Sequence, residues 1–311
     1  MNILPSNNLC LIGYNKVFSD LIKLFDSDIL PNKIIFSGNS GIGKSTLAYH
    51  LINYILSKRE ENRYDTSKNL ILTNNRSYNL VLNNSHPNFF LITNDDDKKN
   101  IQISKIREMI NFTNKSSFNN DYKIILINNI EYLNINSINA LLKTIEEPND
   151  KIFFFLIHNN KTQIIDTLRS RCIKFNLKLN EKYKLKILNE IIGPKFYENL
   201  NNDFKNIYVT PGHLISLNNF FEHNNIDVNV SIENLLKQII EKKLYKKDLY
   251  IKNELSFFIE LYFSKKLFKF KDKVNIYSLY KYFLKRIHEC NKYNLDIENI
   301  IIEMNGKLLN E

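Results

Sequence analysis

Three cysteines in 311 residues, Cys10, Cys172 and Cys290, are too scattered and odd in number for a disulfide framework or a zinc site. No apolar run reaches the length of a membrane span, and the longest are strand-sized. The opening Met1-Asn2-Ile3-Leu4-Pro5-Ser6 has neither the basic start nor the apolar stretch of a signal peptide. A cytoplasmic location with no membrane partner is the expectation. Acidic residues are outnumbered, 33 against 43 basic, for a net charge of +10. That excess raises the prior for an acidic partner such as nucleic acid. It occurs, however, in a chain crowded with Asn and Ile, the pattern of an AT-rich genome, so bulk charge carries little weight. Glycine is scarce too, seven in all, yet three of the seven fall between positions 38 and 43.

Those three belong to Gly38-Asn39-Ser40-Gly41-Ile42-Gly43-Lys44-Ser45-Thr46, a complete match to the phosphate-loop pattern G-x-x-x-x-G-K-[ST]. Glycines let backbone N–H groups converge on phosphate oxygens without an obstructing side chain. Lys44 would reach the outer phosphates of ATP, and the Ser45 hydroxyl would ligate Mg²⁺ if nucleotide is bound. The context agrees. Residues 33–37 read as a short buried strand, and residues 45–52 open a helix whose N-terminus favours anions.

Hydrophobic residues at 43% and charged residues at 24% are ordinary for a globular protein, and the length accommodates two or three domains. Up to about residue 177, strand-like runs at 34–37, 89–93, 123–127, 152–157 and 173–175 alternate with helical patterns at 104–113 and 137–147. Such alternation argues for a parallel sheet covered on both faces. In the second helix Ile138, Leu141, Leu142 and Ile145 recur at i, i+3, i+4, i+7, and Pro148 stops it. Residues 57–84 are polar and read as a loop with one short helix. Beyond residue 178 only helices are expected, at 182–192, 211–222, 231–244, 252–264 and 277–293. The lysines at 242–243, 246–247, 265–266, 269, 271 and 273 read as solvated helix faces. The aromatic segments 257–263 and 277–283 read as helix packing.

A phosphate-loop ATPase needs a carboxylate at the end of a neighbouring strand to hold Mg²⁺. The candidate strand, residues 123–127, ends in Asn128-Asn129. An amide oxygen lacks the charge a hard cation prefers. Neither Asn can act as a base, and loss of a positioned base costs about 10²–10⁴ in rate. Glu131, two residues further on, could take the place only after a local shift. The pattern reads as nucleotide binding with poor hydrolysis, which leaves open whether the chain is itself an enzyme.

Ile12-Gly13, Leu30-Pro31, the phosphate loop, Ser85-His86-Pro87-Asn88 and Ile103-Ser104-Lys105-Ile106-Arg107 carry a resemblance, as do residues 139–148 and Leu168-Arg169-Ser170-Arg171-Cys172. In this order they resemble the AAA+ clamp-loader subunits of bacterial DNA polymerase III, most of all the delta-prime type. Four zinc-binding cysteines usual in the gamma/tau motor type are missing. The resemblance implies a three-domain chain: a P-loop AAA+ domain over 1–177, a small helical lid over 178–224 and an all-α collar over 225–311. It implies partners as well: gamma/tau and delta subunits, the sliding clamp, and primer–template DNA through the assembled complex. It further implies that Arg171, within Ser170-Arg171-Cys172, reaches in trans to the ATP of a neighbouring motor subunit. Cys172 itself reads as a small packed residue at a strand start. The motor-type first sensor, usually Thr, falls at His158-Asn159, and the second, usually Arg, is replaced after Pro211-Gly212 by His213-Leu214-Ile215. Two alternatives stay open: an ATP-hydrolysing motor subunit, and a standalone nucleotide-binding regulator.

Overall fold

The computed structural model describes residues 4–94, 100–146, 151–160, 163–205, 209–269, 273–293 and 295–309. The chain divides into two compact units, Met1–Ile187 with Thr210–Gly212, and Leu188–Val209 with His213–Glu311.

The first unit is built on five strands: β1 (Lys33–Ser37), β2 (Phe89–Ile92), β3 (Lys123–Ile127), β4 (Ile152–His158) and β5 (Ile173–Asn176). They form one sheet of order β2-β3-β4-β1-β5, and every pairing is parallel. All residues of β3 and β4 are buried, as expected where both faces of a sheet are covered. Side chains alternate between the faces with the period of two. Ile34, Phe36, Phe153, Phe155 and Ile157 join one core with Phe18, Leu21 and Phe25 of α1 (Asn15–Asp26) and Leu47, Leu51 and Ile52 of α2 (Lys44–Leu56). Ile35, Phe154 and Leu156 join the other, with Ile106 and Met109 of one helix and Ile138, Leu141 and Ile145 of a second. The polar stretch after α2 yields α3 (Arg76–Leu82). Asn75 caps it by accepting from the Tyr78 N–H at 2.6 Å, and the Glu60 carboxylate accepts from the N–H groups of Arg76 and Ser77. The two helices of the second core are α4 (Ile103–Asn114) and α5 (Ile135–Glu146). Lysines at strand starts satisfy carbonyls near the ends of these helices. Lys33 Nζ donates to Ile145 O at 3.1 Å, and Lys123 Nζ donates to Phe112 O at 2.6 Å. The stop expected at Pro148 lies outside the described residues, with Glu147. A short α6 (Asp166–Arg169) precedes β5, and α7 (Glu181–Ile191) begins in this unit.

The second unit is helical throughout its described residues. It holds α8 (Pro194–Asn199), α9 (Asn202–Lys205), most of α10 (Pro211–His223), α11 (Ile232–Glu241), α12 (Leu244–Lys247), α13 (Leu249–Lys269), α14 (Lys273–Tyr293) and α15 (Glu298–Met304). The helix expected over 231–244 is α11, which ends early at Glu241, and the short α12 follows it. Lys243 takes a left-handed φ of 51°, which ends α11 and starts α12 at a new angle. Helix α13 runs beyond 252–264 at both ends, and Phe258, Ile259, Leu261, Tyr262 and Phe263 on it are buried in the unit's core, as packing residues should be. Not every lysine of the basic stretch is a solvated face. Lys265 is drawn in to Asp203 at 2.9 Å, with the two side chains 16% and 14% exposed. Lys271 lies outside the described residues, and Lys246 pairs at the surface with Glu298 at 2.7 Å. Among the described residues, no helix is long and apolar enough to cross a membrane.

Candidate functional site

The loop after β1 is shaped by contacts that only glycine tolerates at two points. A Cβ on Gly38 would stand 2.6 Å from Leu177 O and 2.7 Å from Ile42 Cδ1. Gly43 has φ of 91°, a left-handed conformation, and is the N-cap of α2 with no side-chain cap. The first N–H groups of α2 are therefore left to a ligand. The remaining residues of the loop are anchored from several directions. Tyr14 Oη donates to Ile42 O at 2.9 Å, the Gly212 N–H donates to Gly41 O at 2.9 Å, and Gly38 N–H donates to His158 O at 3.2 Å. Asn8 Nδ2 donates to Thr46 Oγ1 at 3.4 Å. A Cβ on Gly212 would meet Gly41 Cα at 2.6 Å, so glycine is required at 212, while Gly41 itself has a left-handed φ of 77°. The sequence motif pointed to the loop but not to Tyr14 or Gly212, because nothing local to residue 14 or residue 212 records what packs against it.

Lys44 is 3% exposed, and its Nζ donates to Asn39 O at 2.6 Å, within the loop. Burial lowers its pKa to about 8, against the opposing pull of the Glu131 carboxylate. Ser45 Oγ donates to Asn128 Oδ1 at 3.2 Å, so the hydroxyl that follows Lys44 and the first amide after β3 are direct neighbours. The rest of the strand ends form a neutral amide chain. Asn159 Nδ2 donates to Asn129 Oδ1 at 2.5 Å, and Asn129 Nδ2 donates to Asn94 Oδ1 at 3.1 Å. Asn129 adopts φ of 56°, a left-handed turn that Asn tolerates. His158 is likewise tied down, with its Nδ1 3.0 Å from Ser37 Oγ, and the same hydroxyl donates to Asn160 Oδ1 at 2.7 Å. Amides thus knit together the ends of β2, β3 and β4, where an active ATPase would concentrate charge.

Glu131 sits in the turn Ile130–Tyr132 after β3, and both of its carboxylate oxygens are buried without a hydrogen-bond partner. An orphaned buried carboxylate costs more than the roughly 1–3 kcal/mol of an unpaired neutral group. The glycine cradle, the uncapped helix start, the Ser45–Asn128 oxygen pair and this carboxylate together fit a polyphosphate with Mg²⁺. Among the described residues, no cluster of three or more His, Cys, Asp or Glu side chains is placed to hold a metal ion by itself.

Arg171 makes its contacts with α5 and α6. It is exposed just after α6, where its Nη1 donates to Thr167 O at 2.9 Å and to Ser170 Oγ at 3.3 Å. Its Nη2 lies 2.7 Å from Glu146 Oε1, at the end of α5. None of these partners belongs to the phosphate loop. Cys172 beside it is buried, and burial pushes its thiol up to about 11, so it serves packing and not nucleophilic chemistry. Within the second unit His213 Nε2 lies 2.7 Å from Glu254 Oε2, and its ring stands 4.3 Å from that of Phe257.

An all-parallel sheet of this strand order, with a glycine-rich phosphate loop between β1 and α2, defines an α/β phosphate-loop protein of the AAA+ type. A family model described as "DNA polymerase III, delta subunit" matches residues 13–181, more than half of the chain. The chain belongs to that family, and its relatives include several delta-prime subunits of DNA polymerase III. The delta-prime subunit of Pseudomonas aeruginosa is 27% identical over 137 residues, covering 44% of this chain and 40% of that protein. That of Buchnera aphidicola subsp. Baizongia pistaciae is 31% identical over 151 residues, covering 47% and 44%. The gamma subunit of Buchnera aphidicola subsp. Acyrthosiphon pisum is 27% identical over 240 residues, covering 71% and 64%. The matches to the first two span less than half the length of those relatives.

Proposed function

We propose that this chain is the delta-prime subunit of a bacterial clamp loader, a stator that helps place the sliding clamp on primed DNA in the cytoplasm. It completes a neighbouring gamma/tau-type subunit's ATP site with Arg171 and hydrolyses little ATP itself. The observation that carries this reading is the division of labour: an exposed guanidinium remote in its contacts from the chain's own loop, and amides where that loop's acid should be. ATP with Mg²⁺, when bound, supplies an anionic anchor for the loop. Lys44 would neutralise the outer phosphates, and the Ser45 hydroxyl would face the cation. The proposed division is a P-loop domain to about residue 177, a lid to about 224 and a collar beyond, with the collar meeting the other subunits. The test is ATP turnover by the chain alone and by the reconstituted complex, with Arg171 intact or replaced. Inactivity alone with Arg171-dependent turnover in the complex supports the stator. Turnover by the isolated chain would instead favour the motor reading, which the match to a gamma subunit keeps in view.

Contact with primer–template DNA is supported by a depression of about 970 Å³ between α4 and α5, lined among others by Arg107, Lys143, Asn136 and Asn139. Both cations are exposed, and neither has an ion-pair partner among the described residues. Unpaired cations beside amide groups suit phosphate oxygens. The expected result of Arg107→Ala or Lys143→Ala in the assembled complex is weaker binding to primed DNA at any sequence, with a salt slope shallower by about one per cation removed. Fluorescence anisotropy across a salt series measures it. An unchanged slope would remove these residues from the DNA path.

A further inference from the structure

The stator reading leaves Glu131, in the turn after β3, without a task. Its carboxylate oxygens are sealed from solvent and accept no hydrogen bond, although native proteins pair nearly all such groups. The Glu131 charge acts on the Lys44 ammonium, yet that ammonium bonds Asn39 O and not the carboxylate. No hydrogen bond joins carboxylate and ammonium. At the same strand end, Asn128 already reaches the Ser45 hydroxyl at 3.2 Å, which brings two neutral oxygens together. Neutral oxygens alone hold Mg²⁺ weakly. The cation is usually bound by one or two carboxylates, with water and substrate phosphates filling the other positions.

We propose that Glu131 supplies the carboxylate that the end of β3 lacks. The divalent cation of a bound nucleoside triphosphate is then held by Glu131 together with the Ser45 hydroxyl and the Asn128 amide oxygen. This rests on the reading that the loop binds nucleotide. It adds that binding is cation-dependent in spite of Asn128 and Asn129, through a residue three positions beyond the usual acid. Glu131 is then a binding residue and not a base: the amide chain through Asn129 still leaves no group to activate water. The competing role is a plain counter-ion for Lys44, which would repel phosphates whether or not a metal is present.

The two roles predict opposite signs. Calorimetric titration of the full chain with ATP, in excess Mg²⁺ and in EDTA, compares wild type, Glu131→Gln and Lys44→Ala. The expected result is that Glu131→Gln weakens Mg²⁺–ATP binding by about tenfold or more. In EDTA the same variant should bind ATP as well as wild type or better, because a negative charge near the phosphates has gone. Lys44→Ala should weaken both, which locates the binding at the loop. Tighter binding by Glu131→Gln in both conditions would establish the counter-ion and overturn the proposal, and so would no change in either. No binding by wild type in either condition would defeat the nucleotide reading first, and this inference with it. Thermal unfolding checks that Glu131→Gln is folded. If it is not, Asn128→Asp decides the matter. With Glu131 already serving, the added carboxylate should raise Mg²⁺–ATP affinity by no more than about threefold, whereas a gain of about tenfold or more would show that no carboxylate was there before.

Discussion

On the proposed trans role, replacing Arg171 with alanine is expected to lower ATP turnover at a neighbouring motor subunit's site by about 10³-fold or more, the range of a trans-acting arginine. Turnover of the whole complex then falls by at least that site's share. The effect is large because a guanidinium is charged at any working pH and offers a planar fork of donors to the transferring phosphoryl group. The free chain holds Arg171 in a way that permits this. Its ion pair with Glu146 joins side chains 37% and 48% exposed, so the contact contributes no more than about 1 kcal/mol and is readily given up. The Thr167 carbonyl meanwhile keeps the side chain directed along the surface after α6. Arg171→Lys retains the charge but loses the fork, and an intermediate rate is expected. Steady-state turnover of the reconstituted complex, stimulated by clamp and primed DNA, measures both variants. Assembly is checked by gel filtration, so that a lost rate is not a lost subunit. An unchanged rate with Arg171→Ala would remove it from the neighbour's site and reopen the choice of partners.

The second large effect is on stability. Phe155 in β4 is fully buried, and its ring meets those of Phe36 and Phe153 at centroid distances of 6.0 and 6.1 Å. Phe155→Ala opens a cavity under α1 and α2, and the expected cost is about 3–5 kcal/mol. For a marginally stable domain that is a large part of the total, and about 5–15 kcal/mol is usual. A lowered denaturant midpoint for the first unit is the direct readout. Because α2 carries Lys44 and Ser45 and is seated on the same core, ATP binding at the loop should be lost near the same denaturant concentration. A midpoint within experimental error of wild type would mean that the core relaxes around the missing ring, against the close packing described here.

Much of the first unit could be read from residues that are neighbours in sequence. Residues 124–127 and 152–157 are unbroken runs of Ile, Leu and Phe bounded by polar residues, and the strands that hold them are found within one residue of the expected limits. The period of Ile138, Leu141 and Ile145 marks the buried face of α5 for the same reason. The second unit was less legible. The break at Lys243 was missed because neither Gly nor Pro punctuates it; a lysine in a left-handed turn leaves no mark in composition. Lys265 was read as solvent-facing because its tie to Asp203, 62 positions away, has no local trace.

By itself the sequence determined the phosphate loop, the absence of an acid at Asn128-Asn129, the parallel sheet with helices on both faces, and the motif that carries Arg171. Each depends on a contiguous stretch whose residue types are restricted by local geometry or chemistry. Only the tertiary structure decided the strand order, the hold of Gly212 and Tyr14 on the loop, the amide chain from Asn159 through Asn129 to Asn94, and the sealing of Glu131 beside Lys44. Those features depend on which strand ends meet across the sheet and on what is shut away from water when they do. A buried carboxylate and an exposed one are the same letter in a sequence; desolvation is what makes them different groups.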